Sequence, residues 1–161
     1  MPQILKDEQV VSNSWILLDD SADTVPNGDI LLSYEQWQNF ADQIKDHQGQ
    51  IGIWLEGHAE IEEIIEPLLA LPLIAINFPK FADGRGFSSA RLIRERYQYA
   101  GELRAIGGFI RDQLYLLKRC GFNAFQFSDE HELSDAAESL KDFSENYQVS
   151  ADQQSPLFRR R

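Results

Sequence analysis

Cysteine is almost absent from this chain, since Cys120 is the only one. A single cysteine excludes an intrachain disulfide framework and any all-cysteine metal or iron–sulfur site built by one chain. Histidine is scarce as well, and neither His58 nor His131 has a second ligand at metal-binding spacing. Neither a Walker A loop nor a Gly-x-Gly-x-x-Gly fingerprint is present. We therefore expect no metal and no redox cofactor.

Long apolar runs are also missing. No run approaches the roughly 20 residues that a membrane-spanning helix needs, and the polar first residues lack the apolar core of a signal peptide. We expect a cytoplasmic protein without a membrane partner. Basic residues are in the minority, and the net charge of −11 argues against general nucleic-acid binding, which requires cations to replace counterions on phosphates.

Short apolar runs alternate with segments of helical periodicity along the first 148 residues. Ser33 and Gln36 have the spacing of a capping box at the start of the first amphipathic helix, and Gly121 is placed to end a later one. This alternation is typical of βαβ units with a mainly parallel sheet. We predict one α/β domain over residues 1–148, followed by a polar basic tail over 149–161. Five strands are expected, near Ile16, Ile53, Ile76, Leu103 and Phe125.

Five parallel strands suit either an open doubly wound sheet or a half-barrel, and they are too few for a closed barrel of eight. The segment 30–32 fits either a short strand or an extended lead-in to the first helix. In both architectures ligands bind in loops after the carboxyl ends of the strands. This rule selects four places in the chain: Gly57-His58, residues 80–89, Gly107-Gly108 and residues 128–131.

Positive charge is concentrated in one segment of an otherwise acidic chain. Residues 78–119 carry nine Lys or Arg against four acids, so the segment is +5 and the remainder is −16. A local basic surface can concentrate a small anion or bind an acidic partner. The alternative is that the arginines lie on solvated helix faces and pair with neighbouring acids, as Arg91 and Glu95 can do at a spacing of four.

The loop after the strand near Ile76 carries the most pointed chemistry. It leads into a helix whose first N–H groups lack intrahelical partners, its glycines permit close approach, and its cations suit a phosphate, sulfate or carboxylate. The alternative is structural: a turn at Asp83-Gly84, an ordinary N-cap at Ser88, and Arg85 packed against an acid. For Arg104 the structural alternative is an ion pair with Asp83 or Glu102. The candidate anion- or partner-binding residues are Lys80, Asp83, Gly84, Arg85, Gly86, Ser88 and Arg104.

Three stretches carry a family resemblance: Asn-Phe-Pro-Lys-Phe-Ala-Asp-Gly-Arg-Gly-Phe-Ser at 77–88, Arg-Glu-Arg-Tyr at 94–97, and Gly-Glu-Leu-Arg-Ala-Ile-Gly at 101–107. With these stretches, the last two-thirds of the chain resembles a bacterial family of small uncharacterised proteins. That family is described as probable oxidoreductases involved in sulfite reduction, and its genes accompany assimilatory sulfite reductase. The resemblance implies a place in sulfur assimilation and assigns no residue roles.

Direct sulfite reduction is a multi-electron reaction that calls for siroheme and an iron–sulfur cluster, and one cysteine cannot hold the cluster. We therefore expect an accessory protein without its own redox cofactor, which binds a small anion or docks on sulfite reductase or another sulfur-assimilation enzyme. The alternative is a cofactor-independent enzyme that acts on a phosphorylated or sulfated metabolite at the carboxyl ends of the strands. The sequence leaves a homo-oligomer open.

Overall fold

The computed structural model describes residues 2–78, 85–108, 113–127 and 130–144. The strands are β1 (Gln3–Lys6), β2 (Gln9–Ser12), β3 (Ile16–Leu17), β4 (Ile30–Ser33), β5 (Ile51–Glu56), β6 (Leu73–Phe78), β7 (Glu102–Gly107) and β8 (Ala124–Phe125). The helices are α1 (Tyr34–Asn39), α2 (Ala41–Ile44), α3 (Ile61–Ile64), α4 (Arg85–Arg91), α5 (Leu114–Arg119) and α6 (Glu130–Ser144). A 3-10 turn (Glu66–Ala70) follows α3, and a π-helical turn (Leu92–Arg96) continues α4.

One sheet contains all these strands in the order β2-β1-β8-β7-β6-β5-β4-β3. The pairs from β3 to β8 are parallel, whereas β1 pairs antiparallel with both β2 and β8. Because β3 to β8 lie side by side in chain order, the sheet has no point where the order reverses between them, as a doubly wound sheet would. The α/β prediction is confirmed, and the arrangement is a curled half-barrel.

The predicted number of strands was wrong: the described part of the chain forms a sheet of eight. All five predicted strands are present, and the segment 30–32 belongs to β4. The hairpin of β1 and β2 was not predicted, because its turn uses Asp7 and Glu8 at positive φ instead of the Asn-Gly or Asp-Gly pair that marks most tight hairpins.

The two edges of the sheet are adjacent in the chain. β2 and β3 lie at opposite edges, yet only residues 13–15 separate them. In a flat sheet of eight strands the edges would be about 34 Å apart, whereas four Cα-to-Cα steps span at most about 14 Å. The sheet must therefore curl strongly to bring its edges together.

Alternate strand residues face two separate apolar clusters. Ile74, Ile76, Leu103 and Ala105 face the helices and pack with side chains such as Ile93. The opposite face holds a smaller cluster of Leu31, Leu73, Ala75 and Ile106, against which Trp15 and Trp54 pack. Since Trp15 belongs to the segment that joins the two edges, this second face is the concave one. We call it the inner face.

Helix boundaries follow the local signals except at α4. The capping box of Ser33 and Gln36 is formed, and Gly121 has a φ of +115° where it follows α5. α4 begins at Arg85, so Ser88 lies inside the helix and is not its N-cap. No helix in the described part of the chain is long and apolar enough to cross a membrane. The predicted tail over 149–161 lies outside the described residues.

Candidate functional site

The turn after β5 and the start of α4 pack against each other at the carboxyl ends of the strands. Ser89 Oγ donates a hydrogen bond to the carbonyl oxygen of Gly57 at 3.2 Å. A Cβ on Gly57 would lie 3.2 Å from the backbone nitrogen of Gly86, and one on Gly86 would lie 2.5 Å from the ring of Phe78. The lack of a Cβ at Gly57 therefore permits the close approach of this turn to α4, and the lack of one at Gly86 permits the approach of α4 to Phe78 in β6. Two of the four places selected from the sequence thus meet.

A cavity of about 240 Å³ lies between these two elements. We call it the α4 cavity. Its rim carries the exposed side chains of His58, Arg85 and Ser88, together with two carboxylates. One of these carboxylates, that of Glu62, is 3.3 Å from Arg96 Nη1, so an arginine outside the cavity lining offsets its charge. The polar residues that line the cavity are His58, Glu60, Glu62, Arg85, Ser88 and Ser89.

The predicted site residues fall into three groups: those at the α4 cavity, one on the inner face of the sheet, and those outside the described residues. Arg85 and Ser88 line the α4 cavity, and Gly86 is buried beneath it against Phe78. Arg104 lies elsewhere, on the inner face of the sheet. The other three candidates lie outside the described residues: Lys80, Asp83 and Gly84.

Arg104 is the centre of a buried polar network. Only 1% of the residue is exposed. Its Nε and Nη2 each lie 2.7 Å from Glu102 Oε2, and its Nη1 donates to Asn13 Oδ1 at 3.2 Å and Gln126 Oε1 at 3.1 Å. Lys6 Nζ approaches the other oxygen of Glu102 at 3.0 Å. This network lies on the sheet face opposite to α4, so the structure does not bring Arg104 and Arg85 to one point. The ion pair with Glu102 is one of the structural alternatives considered above.

Arg94 is a second arginine engaged by the fold. Its guanidinium donates to the carbonyl oxygens of Gly121, Tyr99 and Gly101 at 2.7–2.8 Å and to Asn123 Oδ1 at 3.2 Å. Burial lowers the pKa of Arg94. Burial likewise raises the pKa of Tyr99, whose hydroxyl donates to the carbonyl of Leu71 at 2.7 Å. Arg94 therefore ties the π-helical turn to the loop before β7 and the loop after α5.

Much of the positive charge of residues 78–119 is engaged in contacts within the same chain. At least five of the nine cations, all within the described residues, bind acidic or polar groups of the same chain: besides Arg94 and Arg104, they are Arg91 with Glu95, Arg96 with Glu62, and Lys118 with Glu8. These contacts support the structural interpretation of the basic segment over that of a continuous basic surface.

A larger cavity of about 710 Å³ opens at the carboxyl ends of β4 and β5. We call it the β4–β5 cavity. Tyr34, Trp54 and His58 contribute aromatic rings to it, and none of its described lining residues is Lys or Arg. Among the described atoms, Trp54 Nε1 is buried without a hydrogen-bond partner. Five carboxylates line this cavity: those of Asp20, Glu35, Glu56, Glu60 and Glu63. The lining does not favour an anionic ligand.

The structure also bears on thiol chemistry at Cys120 and on metal binding. Cys120 is buried, as its apolar surroundings in the sequence predict, and burial raises the pKa of its thiol. A raised pKa lowers the fraction of nucleophilic thiolate at neutral pH. Within the described ranges, no group of three His, Cys, Asp or Glu side chains is arranged to hold a metal ion.

His58 is the site residue to which sequence reasoning gave too little weight. It lines both cavities, yet no metal partner or motif marks it in the sequence. The signal that could have found it is its position directly after the carboxyl end of a central strand. The partnership of Arg104 with Asn13 had no local signal at all, because the two residues are 91 positions apart.

A model of a family described as bacterial protein of unknown function (DUF934) matches residues 52–158. The match takes in the chain from β5 to α6 and leaves out residues 1–51, which supply two members of the Arg104 network: Lys6 in β1 and Asn13 in the segment between β2 and β3. No curated protein matches the chain.

Proposed function

The chain belongs to this DUF934 family, and on that premise we propose that it is an accessory protein of assimilatory sulfur metabolism that docks on sulfite reductase. The link to sulfite reduction comes from the resemblance of residues 77–107. The observation that supports docking is that this segment exposes side chains at the start of α4. Arg94, Glu102 and Arg104 make contacts within the fold, and the side chains of Arg85 and Ser88 are exposed at the α4 cavity.

Contacts within the fold account for Arg94, Glu102 and Arg104. The start of α4 lies in the resembling segment, and its Arg85 and Ser88 side chains are exposed and therefore accessible to another molecule. Its neighbourhood is mixed in charge, with Arg85, Arg96 and Glu62 close together, as is typical of the polar rim of a protein–protein interface. We assign no redox cofactor to the chain, because its single cysteine cannot hold a cluster.

Growth of a deletion strain tests the proposed step. We expect growth on sulfide, and failure on sulfate and sulfite, because only the reduction of sulfite to sulfide would be impaired. A deletion strain that grows normally on sulfite as its sole sulfur source would contradict the proposal.

Co-purification tests the docking surface. The reductase should be retained by the wild-type chain and by Arg91→Glu, and lost with Arg85→Glu. Arg91 is the matched control because it lies on the same helix and pairs with Glu95 outside the α4 cavity. Equal retention by both variants would exclude this surface, and circular dichroism of each variant checks that it is folded.

The second candidate function is a cofactor-independent enzyme, and the β4–β5 cavity is the observation that favours it. The cavity lies where half-barrel enzymes place their sites, and it brings His58 together with Glu56 and Glu60. Its five carboxylates suit a neutral or cationic substrate better than a phosphorylated or sulfated one. Glu56→Gln should then abolish complementation without loss of reductase binding, whereas full complementation by Glu56→Gln would exclude this role for the cavity.

A further inference from the structure

His58 and Arg85 come from parts of the chain that are 27 positions apart, yet they line the same cavity. The packing beneath them fixes this neighbourhood. The hydrogen bond from Ser89 to Gly57 and the close approach of Gly57 to Gly86 hold the turn after β5 against α4. Backbone contacts of this kind restrict how far the two side chains can separate.

The groups at the rim differ in what they offer a ligand. Arg85 provides a guanidinium with several donors, Ser88 a hydroxyl, and His58 a ring N–H. Donors of these types around one cavity are those that recognise oxyanions and carboxylates. Two carboxylates oppose an anion, but the charge of Glu62 is offset by Arg96. Among the described residues that line the cavity, Glu60 is therefore the main repulsive group.

We propose that His58 and Arg85, with Ser88, form a binding site for one oxyanionic group in the α4 cavity. The group is either a small free oxyanion or a carboxylate on the surface of the partner enzyme. This inference deepens the proposed function and depends on it only for the identity of the partner. It adds His58, which has no role in the resemblance, to the site.

Calorimetric titration of the purified full chain with sodium sulfite tests the free-oxyanion form. We expect binding that weakens by about tenfold in Arg85→Ala, since a charge-assisted hydrogen bond is lost, and that also weakens in His58→Ala. Arg91→Ala is the matched control, because it removes the same charge from the same helix outside the cavity, and it should leave sulfite binding unchanged.

The substitution Glu60→Gln tests whether the cavity binds an anion against the repulsion of the Glu60 carboxylate. Loss of a nearby negative charge should tighten the binding of an anion severalfold, on the order of the Coulomb energy between partly solvated charges. Weaker sulfite binding in Glu60→Gln would show that the Glu60 carboxylate supports binding instead of repelling the anion, and it would overturn the inference.

The partner-carboxylate form is tested by measuring the affinity of the reductase for the same variants. If sulfite does not bind, the inference requires that His58→Ala and Arg85→Ala weaken reductase binding and that Glu60→Gln strengthens it. Insensitivity of both sulfite and reductase binding to these variants overturns it. If the reductase binds all variants equally and the deletion strain still fails on sulfite, the proposed function survives while this site does not.

Discussion

Asn13 Oδ1 accepts a hydrogen bond of 3.2 Å from Arg104 Nη1 and a second from the backbone N–H of Trp15. These hydrogen bonds attach residues 13–15, which connect the two edges of the sheet, to strand β7 in the middle of the sheet. Since Asn13 also donates its own backbone N–H to the carbonyl of Pro2, the linking segment is fixed at several points. The contact explains how β2 and β3 can occupy opposite edges of the sheet although three residues separate them in the chain.

The buried pair of Glu102 and Arg104 gives the first prediction. Arg104→Met leaves a largely buried carboxylate with Lys6 as its remaining partner, and we expect it to lower the free energy of unfolding by about 3 kcal/mol. The double variant Glu102→Met/Arg104→Met should show a smaller decrease in the free energy of unfolding than either single variant, because neither charge of the pair is left buried without its partner. Urea unfolding measures these differences. Strictly additive losses would show that the two side chains are energetically independent.

The hydrogen bonds of Arg94 give the second prediction. Arg94→Lys keeps the charge but cannot direct donors at three carbonyls and Asn123 at once, because an ammonium lacks the planar fork of a guanidinium. We expect a loss of about 2 kcal/mol in unfolding free energy, as buried carbonyls lose partners. Arg91→Lys, on the exposed pair with Glu95, should change stability by less than about 0.5 kcal/mol. Equal effects of the two substitutions would contradict the structural role of Arg94.

The buried hydroxyl of Tyr99 predicts a loss of stability at alkaline pH. Burial raises the pKa of Tyr99 in the folded protein, so the folded state retains this proton when the unfolded state, with an ordinary pKa near 10, releases it. The contribution of Tyr99 is complete below about pH 10 and decreases as pH rises through the folded pKa. Tyr99→Phe should unfold with a weaker pH dependence above pH 10. Parallel stability curves for wild type and Tyr99→Phe would refute this.

The contact of Gly86 with Phe78 predicts a steric cost at the base of the α4 cavity. A Cβ at position 86 would lie 2.5 Å from the aromatic ring, so Gly86→Ala should destabilise the protein by about 1–3 kcal/mol. The neighbouring control Ser88→Ala, at an exposed position inside α4, should be neutral or slightly stabilising, because Ala has the higher helix propensity. Combining Gly86→Ala with Phe78→Leu should restore part of the stability. A neutral Gly86→Ala would show that α4 does not approach the ring of Phe78 this closely.

The candidate site could be predicted in part. The rule that loops after strands carry function selected Gly57-His58 and residues 80–89, and the structure places the described members of both around one cavity. What the sequence could not show is that Arg104 belongs to another face. In a strand, residues 102 and 104 point to the same side, so their pairing was accessible from local spacing, whereas the partnership with Asn13 was not.

Features that depend on a few neighbouring residues were determined by the sequence itself. They include the capping box of Ser33 and Gln36, the end of α5 at Gly121, and the central strand β6, which is apolar except for Asn77. Each results from backbone hydrogen bonding or burial within a few positions of the chain. The tertiary structure alone decided the addition of the β1–β2 hairpin to β8, the meeting of the two sheet edges, and the neighbourhood of His58 and Arg85. These features depend on contacts between distant segments, which form only when the sheet curls and buries its inner face.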